Sequence, residues 1–193
     1  MGLAVMAAKI DDFLRALGTV TLRFSELEEL LMVHTAKLID QHDHGVGLAT
    51  LASLDFLKIT LIFETLVLER TSWRYTIVVG GLPYAKAKEI HDRLKPLIKK
   101  LNDVREQRNR VIHANWSPSY RLEAASGDFV QVAGIAEHTT HKKKVHEGYI
   151  RKTTTWTVVE LEAVVAGIED AARELDEFVT WANTLTPLFP QEE

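Results

Sequence analysis

The chain has 193 residues, 46% of them hydrophobic and 26% charged, with a formal charge of -4. That length suits one sizeable core rather than two independent domains, and the mild acidity singles out neither a nucleic-acid nor an acidic partner from bulk charge alone. No cysteine is present, which excludes disulfides, thiolate metal sites and a cysteine nucleophile.

The opening MGLAVMAAKI has no basic region ahead of its apolar run and no small-residue cleavage pattern, so no export signal is expected. No other stretch reaches the roughly 18 to 20 apolar residues that span a bilayer. The expectation is a cytoplasmic protein without a membrane partner. From Ile10 the apolar positions run Ile10, Phe13, Leu17, Val20, Phe24, Leu27, Leu31, His34 and Leu38. Steps of three and four predict a long amphipathic helix, with Gly18 a weak point. His34 is the odd member, expected to be a core histidine with a hydrogen-bond partner.

DQHDHGVG reads as a loop by composition. A second helix is predicted over residues 56–70, apolar around much of its circumference and therefore central. SWRYTIVVGG is ambiguous between a short strand and an irregular connection. Pro83 suits the first turn of a third helix, which carries Ile90, Leu94, Leu97, Leu101 and Val104 as its stripe and runs to about Trp116. Across residues 119–156 the period changes. FVQVAGI and YIRKTTTW have the β-branched enrichment of strands, which predicts a small antiparallel hairpin or meander. Thr157 and Glu160 form a capping box opening a last helix striped by Leu161, Val165, Ile168, Ala172, Leu175, Val179 and Ala182. The fold class that follows is all-α: an up-and-down four-helix bundle in one domain, with the β insertion before its last helix.

The third helix ends on VREQRNRVIHANW, residues 104–116. At about 100° per residue, Arg108 returns to the direction of Ile90 and points where the core stripe points, while Asn109 and His113 lie on one flank. A guanidinium near a core is costly unless paired. Either it meets a carboxylate such as Glu26, Glu28 or Glu29, or the helix end opens onto a cleft or a second subunit. Residues 86–110 hold nine Lys or Arg against four Asp or Glu, so Arg105 and Arg110 extend the positive charge beside Arg108. HKKKVH at 141–146 reads as a solvated hairpin tip rather than an RNA contact. The histidines of DQHDHG and EHTTH lack metal-ligand spacing, so no metal site is expected.

Arg108-Asn109 followed by His113, closing a long helix, resembles the signature of the HEPN superfamily: an arginine, four to six residues, then a histidine, often with a polar residue directly after the arginine. The resemblance implies a bundle that dimerises so that two copies of the motif face each other, and that cleaves RNA without a metal or other cofactor. By position, Arg108 would hold the scissile phosphate, Asn109 would orient a neighbour or the phosphate, and His113 would handle the proton while the RNA's 2′-hydroxyl attacks. Arg105 and Arg110 would bind substrate. The implied function is a metal-independent endoribonuclease of the toxin-antitoxin or defence type, working as a homodimer with an antitoxin protein as a further partner. The alternatives are a non-catalytic HEPN-like module binding a nucleotide or a protein, and a scaffold whose Arg108 is an internal ion pair. Asn115 stands where some members carry a modifiable tyrosine.

Overall fold

The computed structural model describes residues 2–40, 43–72, 83–122, 129–139 and 151–185. The ambiguous 73–82 connection and the HKKKVH segment lie outside the described residues, as do His42 and His141. Five helices are described: α1 (Gly2–Ile39), α2 (His44–Leu51), α3 (Phe56–Thr71), α4 (Tyr84–Ile112) and α5 (Val158–Leu185). Strands β1 (Asn115–Leu122), β2 (Phe129–Thr139) and β3 (Arg151–Trp156) lie between α4 and α5 and pair antiparallel in the order β1-β2-β3. Asn115 stands opposite Glu137 and Gly134 opposite Trp156, with a register shift between Ser119 and Tyr120. No helix among the described residues is long and apolar enough to cross a membrane.

The chain divides into two compact units, Met1–Phe24 with Glu106–Gly167 and Ser25–Arg105 with Ile168–Glu193. In the first, Phe13, Val20 and Phe24 of α1 are buried, as are Val111 of α4 and Leu161 and Val164 of α5. The second buries Leu27, Leu31 and Leu38 of α1, Ile59, Phe63 and Val67 of α3, Ile90, Leu94 and Leu101 of α4, and Ile168, Leu175 and Phe178 of α5. Phe63 meets Phe178 edge-on, with centroids 6.3 Å apart.

His34 is buried within this second core, its Nε2 3.5 Å from Asp176 Oδ1. Burial lowers its pKa from the ordinary 6.5, against the opposing pull of the Asp176 charge; Lys37 adds to the lowering. Lys100 bonds both Asp170 and Glu174 across α4 and α5. Burial works against its charge, yet the two carboxylates hold its pKa above the usual lysine value.

Several expectations change. Residues 44–51 of the DQHDHGVG stretch and its continuation are helical because Asp43 caps them, its Oδ1 accepting from the N–H groups of Gly45 (2.9 Å) and Val46 (3.4 Å). Gly47 is needed there, since a Cβ would fall 2.6 Å from the Ala36 carbonyl oxygen. Helix α3 is amphipathic rather than central: Leu57, Leu61 and Leu68 are exposed, Leu61 by 60%. In α5 the buried face runs through Val164 and Ala171, each one residue before the position the stripe predicts.

The helix starts follow local chemistry. Asp55 caps α3 by accepting from the Lys58 N–H at 2.9 Å. Glu160 Oε2 takes the Thr157 N–H at 2.6 Å while Thr157 Oγ1 takes the Glu160 N–H at 3.2 Å, the reciprocal capping box at α5. Pro83 precedes α4, and its carbonyl accepts from Lys86 and Ala87.

Candidate anion site at the end of the fourth helix

Helix α4 ends at Ile112, four residues short of the expected Trp116, which instead belongs to β1. The stop has a visible cause. Trp116 turns back so that its indole Nε1 donates to the Val111 carbonyl at 3.0 Å, satisfying one of the last helical acceptors, while its ring meets Phe13 edge-on at 5.2 Å. His113 thus sits one residue past the helix, its N–H still bonded to the Asn109 carbonyl at 3.0 Å.

Arg108, Asn109, Arg110 and His113 share the first unit with Phe24. Arg108 is half-buried and turned inward, as its phase with Ile90 requires. Its Nη1 donates to Asn109 Oδ1 at 3.0 Å, and its guanidinium carbon lies over the Phe24 ring, 5.1 Å from the centroid. Its Nε is buried and makes no hydrogen bond. Among the described residues no carboxylate forms an ion pair with Arg108, whereas Arg15, Arg93, Arg110 and Arg173 all have one. The internal ion pair that the sequence left open is not formed by any described side chain.

The neighbours differ in character. Arg110 is exposed and stands 3.8 Å from Glu106 Oε2, a surface pair of little energetic weight. His113 is exposed, and its ring makes no hydrogen bond or ion pair among the described residues. Asn109 is half-buried and spends its carbonyl oxygen on Arg108, leaving its amide nitrogen for another partner. Arg105 lies in the second unit, half-buried, its Nε also buried and without a hydrogen bond. The Asp55 carboxyl is held below the ordinary carboxylate pKa chiefly by the Lys58 N–H, with the charge of Arg105 contributing least.

Chemically, the first unit offers a desolvated cation with unused in-plane donors and a solvent-facing imidazole one turn beyond it. A half-buried guanidinium without a counter-charge attracts an anion, and its forked donors match the oxygens of a phosphate. Phe24 is the member that sequence reasoning missed as a site residue. Its place on the α1 stripe identified it as core, but only the packing shows it under a cation. Among the described residues no three His, Asp or Glu side chains gather as a metal site. No family model, curated protein or solved structure matches the chain.

Proposed function

We propose that the chain is a HEPN-like four-helix bundle with a β insertion, acting as a metal-independent endoribonuclease through a composite site formed by two copies. The observation that carries this reading is Arg108: a half-buried cation, steadied by Asn109 and Phe24, that no described carboxylate neutralises. In the reaction, the 2′-oxygen of RNA attacks the adjacent phosphorus as its proton leaves, and the 5′-oxygen of the next nucleotide departs as it gains one. The products are a 2′,3′-cyclic phosphate and a free 5′-hydroxyl. Arg108 stabilises the charge that builds on the non-bridging oxygens. His113, exposed to solvent and beside that site along the chain, moves a proton, with a second copy of His113 available for the other transfer. Arg110 binds a flanking phosphate, and an antitoxin-type protein is the further partner.

The test is cleavage of single-stranded RNA with EDTA present. The reading requires cyclic phosphate ends and their loss in both Arg108→Ala and His113→Ala while both variants remain folded. A second reading shares the same cation: a non-catalytic module that holds a nucleotide or a phosphorylated partner. It needs only the Arg108 that Asn109 and Phe24 hold ready for an anion, with no part for His113, and it predicts intact RNA together with a phosphate-dependent rise in melting temperature.

A further inference from the structure

A carboxylate paired with Arg108 would occupy its forked donors and cancel its charge. An aromatic face does neither. The five N–H groups of a guanidinium lie in its own plane, so a ring over that plane attracts the cation through its quadrupole and leaves the edge donors free. The Phe24 ring is 4% exposed and Arg108 lies over it at 5.1 Å, within the range of that attraction. Asn109 takes one Nη1 hydrogen, and the buried Nε has no acceptor. The cation is therefore held over the Phe24 ring and along one edge by Asn109, while no described carboxylate compensates its charge.

We propose that Phe24 is a positioning residue for an oxyanion-binding site at Arg108, one that orients the guanidinium and keeps it unneutralised so that a phosphate group can be gripped by its remaining donors. This rests on the assignment of Arg108 to a phosphate under the proposed function, but not on RNA cleavage. The shared ligand chemistry is a phosphate oxyanion, whether in a polynucleotide backbone or free in solution.

The experiment measures the melting-temperature increment produced by inorganic phosphate and, separately, by a single-stranded oligodeoxynucleotide, which lacks the attacking 2′-hydroxyl. It compares the full chain with Arg108→Ala, Phe24→Leu and Phe24→Tyr. Arg108→Ala is expected to abolish the increment. Phe24→Leu should weaken apparent affinity about threefold to tenfold, and Phe24→Tyr should restore it. A response to the oligodeoxynucleotide but not to phosphate assigns the site to a polynucleotide backbone, and the reverse assigns it to a small ligand; either supports the site. If Phe24 only fills the core, Phe24→Leu lowers the ligand-free melting temperature and leaves the increment intact, which overturns the inference. An unchanged increment in Arg108→Ala, or none in the unaltered chain, overturns it together with the Arg108 assignment. Uncut RNA alongside a Phe24-dependent increment removes the ribonuclease reading and leaves the inference standing. Should Phe24→Leu fail to fold, Phe24→Met takes its place. NMR of the unaltered chain supplies a measurement free of any variant. The Arg108 side-chain protons should show ring-current displacement and should move on phosphate addition; unshifted signals overturn the proposal.

Discussion

Arg108 gives opposite stability signatures under the competing accounts. If it were neutralised inside the protein, removing it would strand a buried carboxylate and cost about 3–5 kcal/mol. With no described carboxylate partner, Arg108→Met relieves a desolvated cation and is expected to leave the urea midpoint unchanged or raised, while abolishing anion binding. His113 differs because it is exposed. His113→Ala should leave the melting temperature unaltered and reduce RNA cleavage about 10²–10⁴-fold, read as initial rates at fixed RNA concentration. His34 supplies a pH dependence of its own. Burial holds its folded pKa below the ordinary 6.5, so the unfolded chain binds the proton more readily. Its contribution is complete above 6.5 and declines as pH falls below that value towards the lowered folded pKa. Urea unfolding at pH about 7.5 and about 5.5 should therefore show a loss at the lower pH that is diminished in His34→Leu. The spacing of Arg108 and His113 and the core place of His34 were readable from a 3.6-residue period. The role of Phe24 was not, because a contact between α1 and α4 is a tertiary fact with no local spacing to announce it.

The helices show where periodicity suffices and where it fails. Most buried residues of α1 and α4 fall on the stripes read from the chain, but Ala16 is buried in place of the expected Leu17, and Thr35 and Ala36 of α1 and Ile98 of α4 are buried off the stripe. In α5, Val164 precedes Val165 and Ala171 precedes Ala172, so hydrophobicity alone fits two neighbouring faces and the packing selects the earlier member of each pair. Helix α2 was hidden by its glycines, whose low helix propensity is offset by the Asp43 cap and by close approach to α1. Two glycine substitutions separate these effects. Gly47→Ala drives a methyl against the Ala36 backbone and should destabilise by about 1–3 kcal/mol. Gly18→Ala, with nothing within 4 Å of the added Cβ in the middle of α1, should stabilise by about 0.5–1 kcal/mol. Chemical denaturation of both variants checks the pair. Equal effects would contradict the packing described for α2.

At the scale of the molecule, a helical protein was legible in the chain, since long runs of three-and-four spacing admit no other regular structure. The end of α4 is where local reasoning stopped short. Nothing within a helical window signals that Trp116 turns back to cap Val111 and begins a strand. That turn leaves His113 just past the end of the helix, facing solvent and following along the chain an Arg108 that no described carboxylate compensates. A composite site also requires two copies, so sedimentation at micromolar concentration should give twice the mass of one chain. The most direct measurement is the rate at which purified protein cuts single-stranded RNA in EDTA, compared with Arg108→Ala prepared identically. Cyclic phosphate ends from the unaltered protein and none from the variant are the expected result. RNA left intact by both, or cut equally by both, contradicts the account.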